Sequence, residues 1–208
     1  MQLFTRALTL AGPPSSTVPW ATDMTQYVSA ATGREVGLWA GSFGVPIGSV
    51  FFSMRVAGLA DLDAVTQTLL ADPAYHERIA AGAELVAGPA QDSLATPLYG
   101  ELGDPPPVGA VATITEATMS GSYTAAIGWA IDVAQHVESL TGSPMLVLSQ
   151  NYGAFGRVTW IGATASAADA DAAAAKVAAD TAYLEKLEAA NGLFVPASGM
   201  TALLPRIA

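Results

Sequence analysis

Cysteine is missing from all 208 residues, so the chain has no disulfide framework, no thiolate nucleophile and no cysteine-ligated metal. Positive charge is scarce as well. Lys and Arg number 8 against 18 Asp and Glu, a formal net charge of −10 shared almost evenly between the halves and without a basic run. Such a chain has little with which to neutralise phosphates, and nucleic acid and anionic membranes are not expected partners. No apolar stretch reaches the length of a membrane span, and the N-terminal "MQLFTRALTLAGPP" lacks the basic and then apolar plan of a signal peptide. A cytoplasmic location is therefore expected. Only two histidines are present, too few for a structural zinc site. No phosphate-cradling glycine loop or nucleophile elbow occurs in a fitting context. Apolar residues, by contrast, make up 51% of the chain, ample for a well-buried core.

The chain is built twice. "ADPAYHER" at Ala71–Arg78 returns as "ADTAYLEK" at Ala179–Lys186, "WATD" at Trp20–Asp23 as "WAID" at Trp129–Asp132, and Thr32-Gly33 as Thr141-Gly142. The match spans nearly the whole sequence, with one residue gained or lost near the turns "GSFGVPIGSVFF" and "QNYGAFGRVTW". Between the copies lies "GELGDPPPVGA", whose consecutive prolines suit an extended connection. The expected division is a first repeat over 1–102, a linker over 103–109 and a second repeat over 110–208.

Each copy has the same order of elements. A β-branched strand ("LFTRALTLA", "AVATITEATM") precedes a helix with apolar residues at helical spacing, Trp20, Met24, Tyr27, Val28 and Ala31 in copy one, stopping at Gly33. Trp129, Val133, His136, Val137 and Leu140 do the same before Gly142. A hairpin follows, then a helix restarted at the "AD-x-AY" segment, then a short strand expected near Ala95–Leu102 or Thr201–Ile207. The result is α+β, a ferredoxin-like βαββαβ unit occurring twice. One such unit leaves a sheet face bare, so the two units are expected to pack sheet to sheet as a closed pseudo-dimer.

With its "AD-x-AY-x-E-[RK]" segment and glycine-punctuated hairpins, the chain resembles the dimeric α/β-barrel superfamily, and in particular its NIPSNAP and antibiotic-biosynthesis-monooxygenase branch, here as an intrachain tandem. The resemblance covers both halves. It implies a pocket between sheet and helices, lined in copy one by Tyr27, Trp39, Phe52 and His76, and in copy two by His136, Asn151, Tyr152 and Trp160. Haem-degrading relatives ligate iron through a histidine on the second helix, a role only His76 could carry here. The asparagine on the first strand and the tryptophan near the second helix that accompany it are missing, so no cofactor and no metal are expected.

Other readings come from the residues themselves. Asp72, followed by Pro73, and Asp180 are expected to be helix N-caps, and Tyr75 and Tyr183 core residues on the inward side of the restarted helix. His76 has the apolar Leu184 as its counterpart, so it is expected to face the sheet, meeting either a core hydrogen bond or a cavity. Few polar residues converge anywhere. The function expected is a non-catalytic small-molecule-binding or assembly protein, possible partners being an apolar small molecule and a second copy of the chain. The alternative is a cofactor-independent monooxygenase acting on an apolar or aromatic small molecule.

Overall fold

The computed structural model describes residues 1–208. Copy one comprises β1 (Gln2–Thr9), α1 (Pro14–Thr32), β2 (Val36–Ala40), β3 (Ser49–Val56), α2 (Leu59–Leu70), α3 (Pro73–Ala81) and β4 (Gln91–Tyr99). Copy two repeats the order with β5 (Val111–Thr118), α4 (Tyr123–Thr141), β6 (Met145–Tyr152), β7 (Arg157–Thr164), α5 (Ala167–Ala178), α6 (Thr181–Ala189) and β8 (Met200–Pro205). Gly100 to Ala110, between β4 and β5, contains no helix or strand.

The helix boundaries follow the local chemistry. Both first helices stop at a glycine in the left-handed region, Gly33 (φ 65°) and Gly142 (φ 75°), where a β-carbon would be strained. The Asp72 carboxylate accepts from the Ala74 amide and that of Asp180 from Tyr183, so both are the expected N-caps, each worth about 1 kcal/mol. The last strand of copy one is displaced from its expected place. It begins at Gln91 and ends at Tyr99, because pairing with β1 captures Gln91–Ala95 and the segment ahead of it carries no competing helical pattern.

All strands join one antiparallel sheet in the order β2-β3-β1-β4-β6-β7-β5-β8. The two copies meet edge to edge through β4 and β6, and the far edges close the ring. There, Leu38 donates its amide to the Ala208 carbonyl and accepts from that of Ile207, and isolated bridges join Trp39 to Arg206 and Phe43 to Leu203. Closure leaves no bare face and no long free edge, which answers the exposure problem a single unit would have. Ala112, Ala202 and Leu204 fill the barrel interior with Trp39, Phe51, Ile114 and Ile161. The helices lie outside, so each copy also has a layer between the outer sheet face and its helices.

That outer layer is organised differently in the two copies. In copy two it is a single apolar cluster that includes Met119, Ala126, Ala130, Val147, Val158 and Trp160. In copy one it is split, with Val36, Met54, Val56, Val65, Leu69 and Leu94 on one side and Leu10, Ala21, Leu38 and Val50 on the other. Phe52 touches both groups.

Candidate functional site

The gap between the two clusters of copy one is a cavity of about 440 Å³. Its floor is the outer face of β1 and β3, with Phe4, Arg6, Leu8, Phe52 and Met54, and its roof is α1, α2 and α3. Of 21 lining residues 17 are apolar, and Arg6 is the only charged one. Tyr75 and Ile79 enter from α3, and Val86 and Ala90 from the segment leading into β4. A volume of a few hundred Å³, mostly apolar with one or two polar groups, is the usual form of a small-molecule site.

The repeat supplies an internal comparison. Register with the first strand of each copy makes Trp160 the counterpart of Phe52. The bridges Leu10–Val86 and Met119–Phe194 make Phe194 the counterpart of Val86. In copy two Trp129, Trp160 and Phe194 interlock edge to face, with ring centres 5.2–6.0 Å apart, in the space that is hollow in copy one. The Trp160 indole is pinned by donating to the Ala130 carbonyl at 2.9 Å. What remains at that mouth is a more open surface depression of about 540 Å³, with 8 lining residues of which only 4 are apolar, Leu187, Ala190 and Phe194 among them, against the 21 that enclose the copy-one cavity.

Trp20 and Trp129 both tie their first helix to the restarted one, donating to the Arg78 and Lys186 carbonyls at 3.0 and 2.8 Å. Copy one has Gly82 beside its tryptophan, where a β-carbon would stand 2.0 Å from the indole. Glycine there lets Trp20 lie against the end of α3 and form part of the cavity wall.

At the sheet side of the cavity Arg6 makes a two-pronged ion pair with Asp92 on β4, Nε to Oδ1 at 2.8 Å and Nη2 to Oδ2 at 2.7 Å. The pair is half-exposed, 40% and 45% for the two side chains, which places it at the solvent end of the cavity. The carboxylate holds the Arg6 proton above its ordinary affinity, and Tyr75 stands close enough to add to this. In copy two the positions of Arg6 and Asp92 are taken by Thr115 and Thr201, whose hydroxyls bond to each other at 3.0 Å.

Of the eight residues expected to bind a ligand, Phe52 alone lines the cavity. His76 does not face the sheet, a correction to the expectation from Leu184. It is exposed, and its Nε2 lies 2.8 Å from the Leu70 carbonyl at the end of α2, because α3 turns Tyr75 inward and the next residue outward. Leu184 is itself 47% exposed, so its apolar character did not signal burial. With His76 outside and its Nε2 engaged, no cavity residue offers haem iron an axial nitrogen.

Tyr27 does not meet His76 either. Its hydroxyl donates to Asp72, and the Arg78 guanidinium lies 3.9 Å from its ring centre. This bond lowers the affinity of Asp72 for its proton and raises that of Tyr27. His136 meets Asp180 in the same place in copy two, Nε2 to Oδ1 at 2.8 Å, and again the carboxyl is held below its ordinary range. Arg78–Asp23 and Lys186–Asp132 complete matching clamps between helices. Trp39 points into the barrel and donates to Ser53 at 2.9 Å, since alternation along β2 sends it to the face opposite Leu38. Asn151 accepts from Thr96 at 2.6 Å, Tyr152 is 57% exposed, and Trp160 is the filling of copy two.

No family model matches this sequence, and no curated protein does. Solved structures do. An anthrone oxidase-like protein superposes with a TM-score of 0.70 at 13% identity, over all of this chain and 91% of the other. A Fusobacterium nucleatum protein provisionally named a monooxygenase gives 0.70 at 9% identity, over 100% and 92%. One from Lactobacillus acidophilus, also provisionally named a monooxygenase, gives 0.62 at 12% identity, over 99% and 93%. The fold is shared with these structures, an α/β barrel of two βαββαβ halves, here contained in one polypeptide. In this tandem barrel the two sheet-and-helix layers are free to differ, and they do. No helix is long and apolar enough to cross a membrane. Sequence reasoning missed Arg6, Asp92 and Val86. The available signal was the set of mismatches between copies, Arg6 against Thr115, Phe52 against Trp160 and Val86 against Phe194.

Proposed function

We propose that the tandem barrel binds a small, largely apolar molecule in copy one, between the sheet and α1, α2 and α3, while copy two is a solid structural partner. The observation that carries this reading is the hollow itself. The same framework is closed in copy two by Trp160 and Phe194, so the fold does not require the space that Phe52 and Val86 leave open. Binding without chemistry is the reading favoured, because the ionised groups near the cavity are paired with each other and no free base faces it. Cofactor-independent oxygenation is the second reading. It is supported by the names of the structural neighbours and by Arg6 and Tyr75 standing beside an apolar space.

The test uses the neutral fluorescent probe N-phenyl-1-naphthylamine with the wild type and with Phe52→Trp/Val86→Phe, which carries the copy-two filling. The wild type is expected to bind one probe saturably, and the filled variant to bind at least about tenfold more weakly with its fold intact. No saturable binding to the wild type, or equal binding to both, would overturn the reading. Oxygen uptake with anthrone separates the second reading from the first, since oxidation to anthraquinone consumes one O2 and releases one water.

A further inference from the structure

We infer that the cavity selects an amphipathic acid, an apolar body carrying one anionic oxygen, with the oxygen held between Arg6 and the Tyr75 hydroxyl. The inference rests on the cavity being a binding site and specifies what it binds. Its basis is the set of unused donors. Asp92 takes Nε and one hydrogen of Nη2, so Nη1 and the second Nη2 hydrogen have no carboxylate partner. The Tyr75 hydroxyl, on the opposing wall of the same cavity, stands beside Arg6, and because a guanidinium only donates, the phenol oxygen can accept from it while its own O–H hydrogen stays unspent. Two unspent donors therefore face one apolar space, and the cavity wall contributes no acidic side chain.

An ion pair at this point is not a requirement of the sheet. In copy two the same register positions hold Thr115 and Thr201, a neutral pair bonded to itself that offers a ligand no charge. The charged version accompanies the hollow copy and the neutral version the filled one. In a chain of net charge −10 with 8 cationic residues, the only charge on the cavity wall is positive. Bidentate pairing also fixes the guanidinium plane, so little side-chain freedom is lost when a ligand docks. Asp92 opposes an incoming anion as well as orienting Arg6, so the selectivity it permits is moderate, and removing its charge should strengthen anion binding.

The experiment measures calorimetric or fluorescence-displacement affinities for three probes with one ring system: 2-naphthoate, neutral 2-naphthylmethanol and cationic 2-naphthylmethylamine. The wild type is expected to bind in the order acid, alcohol, amine, with about tenfold between acid and alcohol. Asp92→Asn keeps an acceptor for Arg6 and removes the opposing charge, so it should widen that ratio by about another tenfold. Arg6→Thr/Asp92→Thr, the copy-two pair, should bring acid and alcohol to equal affinity. If all three probes bind equally and Asp92→Asn leaves the ratios unchanged, the inference fails while the cavity reading stands. If no probe binds the wild type, both fail. The wild-type and Asp92→Asn measurements decide the matter even if the double variant does not fold.

Discussion

Filling the hollow copy should depend on a residue that does not touch the incoming ring. In copy two the Trp160 indole donates to the Ala130 carbonyl at 2.9 Å, and the residue one turn on is Ala134. In copy one the matching carbonyl is that of Ala21, and it already accepts a hydrogen bond at 2.8 Å from the hydroxyl of Thr25, the counterpart of Ala134. Thr25 is buried, and this bond is what satisfies it. Phe52→Trp adds two ring carbons worth about 1–1.5 kcal/mol if buried. It also brings an N–H whose natural acceptor is taken, at a cost of about 1–3 kcal/mol. The single variant should therefore range from about 0.5 kcal/mol more stable to about 2 kcal/mol less stable. Thr25→Ala alone loses one satisfied hydrogen bond, about 1 kcal/mol.

Together the two changes recreate the copy-two arrangement, with the indole taking the freed carbonyl. The pair should be more stable than the sum of its parts by about 1–2 kcal/mol, a coupling of the size found for residues sharing a hydrogen-bond partner. Guanidinium unfolding of wild type, both single variants and the double variant closes the cycle, provided the dependence on denaturant stays constant. In a chain of this size the coupling corresponds to a shift of about 2–8 °C in Tm. Additivity to within about 0.3 kcal/mol would refute the reasoning, because it would mean that Trp at position 52 does not seek the Ala21 carbonyl.

Three further outcomes are expected. His76→Leu should change stability by less than about 0.5 kcal/mol and leave N-phenyl-1-naphthylamine binding unaltered, since the side chain is exposed and water can replace its bond to the Leu70 carbonyl; this is read by thermal melts and probe titration. Asp72 and Asp180 are held below their ordinary value of 3.8, first by the bonds from Tyr27 and His136, so the folded state binds fewer protons than the unfolded one. Their contribution is present above about pH 4 and lost as pH falls through the lowered values, so the stability gap between wild type and Asp72→Asn/Asp180→Asn should shrink from about pH 6 to pH 2.5 in urea unfolding. Cutting the chain within residues 103–109 and expressing each half alone should give self-associated or aggregated halves, because β4, β6, β2 and β8 lose their partners; monomeric, cooperatively folding halves would contradict this.

Much of the architecture was legible because it is specified twice by local rules. Gly33 and Gly142 end helices, Asp72 and Asp180 begin them, and alternation along each strand separates barrel interior from outer layer. Edge pairing was not legible. Whether two bare sheets stack or join rims depends on twist and register, which no single segment encodes, and the β4–β6 ladder contains two register shifts. The site was less legible still. Tyr27 and His136 lie on the apolar-looking stripes of their helices, yet they serve the clamps to Asp72 and Asp180, because amphipathic side chains bury their rings and still reach a polar partner. Helical spacing identifies a face of the helix and does not distinguish its centre from its margin.

The position of the cavity is encoded in differences between the copies, and a barrel made of two identical chains could not contain those differences. Any residue that hollows one layer of a homodimer hollows both, and any residue that fills one fills both. Fusing the copies removes that constraint. Trp160 and Phe194 can close the layer beneath α4, α5 and α6, while Phe52, Val86 and Gly82 leave room beside Trp20. The closed sheet makes the two layers one folding unit through the β4–β6 ladder and the contacts of Leu38 with Ile207 and Ala208, so dense packing in copy two supports an open layer in copy one. The same freedom extends to charge. Arg6 and Asp92 face the open layer and Thr115 and Thr201 the closed one, at the same register positions in a common frame. A charged pair beside an empty space, replaced by a neutral one where the space is full, is the arrangement expected if the charge serves a guest and not the fold.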